Sequence, residues 1–212
     1  MTDVTAPAAR EVSLLRRIIS WEIGMWRSLF RWILRRPPVV EPGGQAFPYV
    51  GAVNGILWAF IGVSTIEIPI LHLMLPWETV RLIALALGIQ GVLWMLGLMG
   101  SLKLHPHTVG PSGLRIRNSV TLDFTLRWDE IAAIRAHDRT LPPGDRAAVI
   151  EPVDGGVIAH LAQAGSTRVD VVLREPRPLP YRKTKGRPVV EFRFSADDPA
   201  ALVAAARKYL VS

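Results

Sequence analysis

The sequence predicts an α+β membrane protein whose helices come first and whose β-rich domain follows. Three observations predict this class. Residues 49–102 contain two long apolar segments, and residues from about 103 onward alternate between apolar and polar side chains. The last fifteen residues repeat their apolar positions with the period of a helix. Half of the 212 residues are hydrophobic and the net charge is +7, which fits a chain in contact with a membrane.

The first predicted element is an amphipathic helix over residues 10–36, after a disordered tail over residues 1–9. At about 100° per residue, the arginines share one side and the tryptophans share the other. These candidate membrane-surface residues are Arg16, Arg17, Arg27, Arg31, Arg35, Trp21, Trp26 and Trp32. We favour a helix in the membrane interface, where arginines gain from anionic lipid. A helix packed on the rest of the protein remains the alternative.

Two prolines, Pro37 and Pro38, end this helix and open a turn-rich linker over residues 37–48. Residues 49–102 then form a predicted transmembrane hairpin, with helices over about 50–75 and 79–102. Each helix is long enough to span a hydrocarbon core of about 30 Å. The N-terminal side carries far more arginine than the short connection "PWET" and its flanks. The positive-inside rule therefore places both termini in the cytoplasm.

Four polar or charged residues interrupt the hairpin, and they raise the question of an intramembrane site. They are Glu67, His72, Arg81 and Gln90. Glu67 and Gln90 lie at similar depth, so we predict a hydrogen bond between them across the hairpin. His72 and Arg81 lie near the outer surface, where water can reach them. The functional alternative is a proton- or cation-sensing site, or a contact with another membrane subunit.

The second half of the chain predicts short antiparallel strands. The clearest alternation occurs in "GLRIRN" (113–118), "VTLDFTLRW" (120–128) and "VVEFRF" (189–194). Weaker patterns predict strands over 103–109, 131–136, 148–152, 157–161 and 168–173. A closing helix is predicted over 198–211, with Asp198 as its N-cap and Pro199 as its first residue. Its apolar face consists of Leu202, Val203, Ala206, Tyr209 and Leu210.

The residue types argue against an enzyme. The sequence contains no cysteine, which excludes thiol catalysis and metal–thiolate sites. It has no nucleophile elbow, phosphate-binding loop or dinucleotide fingerprint, so we predict no catalytic residue and no cofactor. His105 and His107 could share one face of a strand, but His72 lies across the predicted membrane. We predict no metal site, and we interpret both histidines as polar residues where the helices join the domain.

A basic run, "REPRPLPYRKTKGRP", is the other candidate binding feature. Its charges are Arg174, Arg177, Arg182, Lys183, Lys185 and Arg187, opposed in the run only by Glu175. Four prolines and the absence of apolar periodicity predict an exposed loop. The loop could bind anionic lipid headgroups or an acidic protein, or it could simply be solvated. Nucleic acid is not predicted, because no aromatic stacking platform accompanies the charges.

Three short motifs carry a resemblance to a known family. They are "GLR" at residues 113–115, Asp129–Ile131–Ile134, and the helix start Asp198–Pro199. In this order, residues 49–212 resemble bacterial pleckstrin-homology-like (PH-like) proteins in which the domain follows a two-helix membrane hairpin. The resemblance implies an antiparallel β-sandwich or barrel closed by the C-terminal helix. Its motifs are structural, so it implies a fold and does not identify a ligand.

Together these features predict a non-enzymatic, membrane-anchored adaptor. It would present its PH-like domain at the cytoplasmic face of a bacterial plasma membrane. The expected partners are the lipid bilayer, anionic headgroups and an unidentified protein. The second hypothesis is an accessory subunit of a larger transporter or envelope complex, with Glu67 facing a partner helix.

Overall fold

The computed structural model describes residues 6–142 and 148–210 of the chain. It is an α+β structure with two long apolar helices and two β-sheets. The α-helices are α1 (Ala6–Ile33), α2 (Gly51–Met74), α3 (Glu78–Leu104) and α4 (Pro199–Leu210). The strands are β1 (Gln45–Phe47), β2 (His107–Gly110), β3 (Gly113–Asn118), β4 (Leu122–Leu126), β5 (Ile131–Thr140), β6 (Ala148–Val153), β7 (Gly156–Leu161), β8 (Ser166–Pro178) and β9 (Pro188–Phe194).

The strands form two separate sheets. One has four antiparallel strands in the order β1-β2-β3-β4, and the other has five in the order β5-β8-β9-β7-β6. The predicted barrel is wrong, because the sheets do not close on each other. The prediction of uniformly antiparallel pairing is also wrong, since β7 and β9 are parallel. Strand β9 lies between β7 and β8 in the sheet. It pairs antiparallel with β8 and parallel with β7.

The hydrophobic core lies between the sheets and beneath α4. The alternation predicted in "GLRIRN" and "VTLDFTLRW" is confirmed, since the strands bury their predicted inward residues: Leu114, Ile116, Leu122, Phe124 and Leu126. Phe124 meets Phe192 of the other sheet edge to face, with ring centroids 5.3 Å apart. The predicted start of α4 is also confirmed, because Asp198 Oδ1 accepts a hydrogen bond from the Ala201 N–H.

Three predicted boundaries differ from the structure. The linker over 37–48 contains a strand, β1, which pairs with β2. Residues 103–109 are not one strand, because α3 continues to Leu104 and β2 begins only at His107. Helix α1 begins at Ala6, four residues before the predicted start, and residues 1–5 lie outside the described part. The helix ends at Ile33, because Arg35 has a left-handed backbone conformation. This turns the chain so that the Arg36 N–H donates a hydrogen bond to the Arg31 carbonyl.

Helix α1 packs along the second half of α3, and its contacts advance in the same direction on both helices. The rings of Trp21 and Trp94 meet at 5.4 Å, and Trp94 Nε1 donates to the Glu22 carboxylate at 3.3 Å. Further along, Met25 lies against Gly97, and the Trp32 ring lies under the Lys103 ammonium at 5.5 Å. The alternative of a helix packed on the protein is therefore confirmed for this face of α1.

The helices join the β domain through a set of polar contacts that we call the junction. Asp197, between β9 and α4, accepts a hydrogen bond from the Gly51 N–H at the start of α2. Its own N–H donates to the Pro48 carbonyl. At the end of α3, the Ser101 and Ser119 hydroxyls lie 2.7 Å apart and are buried. A helix start has free N–H groups, so Asp197 both caps α2 and ties it to the domain.

His107 occupies the centre of the junction. Its ring lies 4.7 Å from those of both Tyr49 and Phe194. The Arg117 N–H donates to its Nδ1, so Nε2 carries the proton and donates to the Ser195 carbonyl. Burial lowers the pKa of His107 to about 4, with Arg117 contributing in the same direction. The neutral imidazole is therefore the form that this site holds.

Replacing Tyr49 by Phe should destabilise the protein by about 1–3 kcal/mol. The Tyr49 hydroxyl oxygen accepts the buried Ser119 N–H, and removing it leaves that donor without a partner. The same substitution at Tyr209, which stacks on Trp128, is the matched control. Chemical unfolding of the detergent-solubilised chain measures both. An equal loss of stability in the two variants would contradict the role assigned to the Tyr49 hydroxyl.

Acid should weaken the junction through His107. Its pKa falls from 6.5 to about 4 on folding, so the unfolded chain takes up this proton at higher pH than the folded chain. Neutral His107 therefore contributes about 3 kcal/mol to the free energy of unfolding above pH 6.5, and this contribution is lost as the pH falls toward about 4. His107→Gln should reduce this pH dependence by that amount, although its stability at pH 7 is lower. Urea unfolding between pH 4 and 7.5 tests this; identical slopes in both proteins would refute it.

Candidate functional site

Glu67 lies on the wall of a groove between α2 and α3. The groove has a volume of about 380 Å³. The residues that shape it are Ser64, Glu67, Leu71, Ala84, Gly88 and Gly91. Glu67 is exposed and makes no hydrogen bond or ion pair with any residue that the structure describes. Its carboxylate therefore has no partner among the residues that the structure describes.

The predicted hydrogen bond between Glu67 and Gln90 is wrong. The α2–α3 contact runs along the side of α3 that carries Gly88, whose Cα lies against the Ile68 side chain. Gln90 is two residues further on, which turns it about 200° from Gly88 around the helix axis. It is exposed on another side of α3. The two residues are close in depth, but the rotation of α3 separates them.

His72 and Arg81 flank the connection between α2 and α3. Each is partly buried, and one nitrogen of each, His72 Nδ1 and Arg81 Nε, is buried without a hydrogen-bond partner in the described part of the chain. Along their helices, both residues lie about five positions closer to the connection than Glu67 does. They are therefore separate from Glu67, and no ion pair between these groups is formed.

The basic run is not one exposed loop. Arg174 and Arg177 lie on β8, and Arg177 forms an ion pair with Glu130, a partner that is distant in sequence. The rest of the run is anchored by buried residues. The Tyr181 hydroxyl donates to the His160 carbonyl, and Thr184 Oγ1 donates to the Tyr181 carbonyl. Burial raises the pKa of Tyr181 to about 12. The exposed charges are Arg174, Arg182, Lys183, Lys185 and Arg187.

These charges lie at the end of the β domain that is remote from the helices. Strand β8 starts beside the junction, where Val169 pairs with Phe194. It runs from there to Arg177, which pairs with Val189. Strand β9 covers the distance between the two pairs in five residues, or about 17 Å, because β8 bulges between Val172 and Arg177. We call this remote surface the far end of the domain.

Two of the predicted membrane-surface tryptophans have a different role. Trp21 faces Trp94 of α3, and the Trp32 ring lies 6.4 Å from that of Trp58 of α2. Trp26 is partly buried. The arginines Arg16, Arg27, Arg31 and Arg35 are exposed as predicted, and the side chain of Arg17 lies outside the described ones. Tryptophan on an amphipathic helix does not by itself distinguish contact with lipid from contact with a neighbouring helix.

The two histidines next to α3 do not share a face. His105 ends the helix, and its Nδ1 lies 2.7 Å from the Ser101 carbonyl oxygen. Burial lowers the pKa of His105, as it does for His107. Among the described residues, no group of three or more His, Asp or Glu side chains is placed to hold a metal ion. Both histidines lie at the join of helix and domain, as the sequence predicts.

A cluster of charges on the five-stranded sheet was not predicted. Asp170 is fully buried, with Arg139 Nη2 at 3.1 Å and Arg193 Nε at 3.8 Å from its two oxygens. Arg193 also pairs with Glu191 at 2.6 Å. The sequence gives a partial signal, because Asp170 interrupts the apolar strand "VDVVL". Its partners lie on β5 and β9, and strand register decides that pairing.

A comparison with protein-family models, with curated proteins and with solved structures finds no match for this chain. Function therefore has to be argued from the groove, the far end of the domain and the placement of the helices.

Replacing Asp170 by Ala should cost about 2–3 kcal/mol of stability. The change removes the buried carboxylate that Arg139 and Arg193 share, and breaking a fully buried pair costs roughly 3–5 kcal/mol, although Arg193 keeps Glu191. The lower value reflects Arg139, whose side chain keeps about a third of its surface in water. Asp129→Ala, which breaks an exposed pair with Arg127, should cost much less, because water screens that pair. Chemical unfolding compares the two, and equal losses would show that Asp170 is not a structural anchor.

Proposed function

We propose that this chain is a non-enzymatic adaptor anchored in a bacterial plasma membrane. Helices α2 and α3 span the bilayer as a hairpin, and the second half of α1 packs alongside the cytoplasmic half of α3. The β domain is a PH-like domain that the junction holds below the membrane. Its far end carries the binding surface for a protein partner.

The distribution of exposed apolar side chains is the observation that carries this proposal. Every large hydrophobic residue that the described structure leaves exposed lies within residues 19–89. The β domain buries its own hydrophobic residues in a core of two sheets and α4. Both α2 and α3 are long and apolar enough to cross a membrane, yet only 6% and 11% of their most apolar windows are buried. Apolar surface of that extent fits lipid far better than water.

Tryptophans are spaced along the hairpin in a way that fits the bilayer. Trp77 lies at the connection between the helices, and Trp58 and Trp94 lie near the other end. The intervening helix measures about 25 Å at 1.5 Å per residue. Tryptophan concentrates at both membrane–water interfaces, and the hydrocarbon core is about 30 Å thick. The domain side carries the arginines of α1, so the positive-inside rule puts it in the cytoplasm.

The exposed surface of α1 suits the cytoplasmic interface. One strip of it is apolar: Ile19, Ile23, Phe30, Ile33 and Leu34. The adjacent strip carries the exposed arginines named above. The third side packs on α3 at the depth of Trp94. A helix with this division can bind α3, hydrocarbon and anionic headgroups at once. Because its contacts advance in step along α3, this part of α1 stands beside the end of that helix and does not lie in the plane of the membrane.

The position of the far end favours a protein partner over lipid for the basic run. Its charges lie about 17 Å along the sheet from the junction, about twice the screening length of about 8 Å at physiological salt. Lipid headgroups next to the junction would therefore attract the far end only weakly. An acidic protein surface approaching from the cytoplasm meets these charges first. No nucleic-acid partner is proposed.

The second candidate function, an accessory subunit of a larger membrane complex, rests on Glu67. A carboxylate on the lipid-facing side of a hairpin is unfavourable unless another group pairs with it. The described part of this chain supplies no such group. An adaptor that also contacts a membrane subunit would combine both functions.

Single-cysteine labelling tests the proposed placement, because the natural sequence has no cysteine. With a membrane-impermeant maleimide, Thr79→Cys should react in intact cells, and Lys185→Cys should react only in inside-out vesicles. A photo-crosslinking residue at position 185 should then capture a discrete protein, and one at the exposed Ala136 of β5 should capture much less. Labelling of Lys185→Cys in intact cells would overturn the topology. Crosslinks from position 185 to lipid alone would overturn the protein-binding surface.

A further inference from the structure

We propose that the groove between α2 and α3 binds a transmembrane helix of another protein, and that this helix carries a lysine or arginine near mid-membrane. The inference depends on the membrane placement of the hairpin proposed above. Beyond that placement, it identifies Glu67 as the contact residue and a basic side chain as the group that the partner helix supplies.

Glu67 lies near the middle of the apolar layer. It is nine residues from Trp58 and ten from Trp77, the two tryptophans that bound α2. Its neighbours Ile66 and Ile70 are 64% and 47% exposed, so the carboxylate is surrounded by side chains that face lipid. In hydrocarbon an ionised carboxylate requires a pairing group. The described residues contain none within reach of it.

The groove beside Glu67 has the shape that a helix needs. Gly91 has no atom within 4 Å of the position where a side chain would begin, and Ala84 continues the small surface along α3. Small residues let two helix backbones approach closely, which is the usual basis of helix association in lipid. A helix seated there brings its own side chains next to Glu67.

This chain does not cover the groove with its described residues. Helix α1 packs on α3 at Trp94, Gly97 and Gly100. At about 100° per residue, Gly97 is turned roughly 180° from Gly88, so α1 occupies the opposite side of α3. The groove is therefore open to a helix from outside.

Charge complementarity identifies a different protein as the occupant. Two copies of this chain in one membrane share an orientation, so a two-fold axis sets Glu67 opposite Glu67 at equal depth. Like charges in that position repel. The basic groups of a second copy, His72 and Arg81, lie about 7 Å closer to the outer surface. Lipid headgroups lie further away still. A basic side chain at mid-membrane, on a helix of another protein, meets Glu67 directly.

The test uses full-length protein in phosphatidylcholine vesicles and synthetic leucine–alanine transmembrane peptides with one central lysine. Energy transfer between a label on the protein and one on the peptide measures association. The lysine peptide should associate about tenfold more tightly than the matched peptide with a central leucine. Glu67→Gln should remove this preference, and Glu78→Gln, at the start of α3, should leave it unchanged. Gly91→Leu should weaken binding by filling the open groove without a clash inside the chain.

Equal binding of the lysine and leucine peptides, or an unchanged preference in Glu67→Gln, would overturn the inference. A stronger association of the protein with itself that Glu67→Gln abolishes would replace the proposed occupant by a second copy. Impermeant maleimide added outside the same vesicles reports insertion separately, because an inserted chain exposes either Thr79→Cys or Lys185→Cys and a chain that has not inserted exposes both. If the chain does not insert, the proposed membrane placement fails; if it inserts and shows no lysine preference, only the present inference fails.

Discussion

The hydrogen bond from the Gly51 N–H to Asp197 is the contact on which the placement of the whole domain depends. It caps α2 with a side chain from the β domain that comes 146 positions later in the sequence. His107 supports it from within, because both of its ring nitrogens are used and only the neutral ring fits. The Tyr49 hydroxyl satisfies one more buried N–H. The helices therefore enter the domain through a polar, fully packed contact instead of a free linker.

This contact has consequences for both candidate sites. Because the start of β8 is held beside the helices, its other end carries the basic residues away from those helices. Helix α1 uses one side of α3, which leaves the Glu67 groove open on the other. The molecule thus offers two surfaces of opposite character. One is cationic and exposed to water, and the other is anionic and set in an apolar surface. A protein with both can hold a membrane subunit and a cytoplasmic partner in a defined arrangement.

Local features were predicted well. Leu114 and Ile116 point into the core because alternation along a strand is a property of neighbouring residues. Asp198 begins α4 because a cap needs only the next three residues. The predicted pair of Glu67 and Gln90 failed, since equal depth on two helices says nothing about how each helix is rotated. Residues 45–47 are flanked by strong turn signals, yet they pair with β2 as an edge strand.

The sequence by itself determined the order of elements, the two long apolar helices, the amphipathic α1 and α4, and the inward faces of the clearest strands. These follow from periodicity and capping, which act over a few residues. The tertiary structure alone decided which partners meet: Asp170 with Arg193, Arg177 with Glu130, and Asp197 with α2. It also decided that Glu67 remains without a partner. Such contacts depend on strand register and helix rotation, and a shift of one residue in either would exchange them for others.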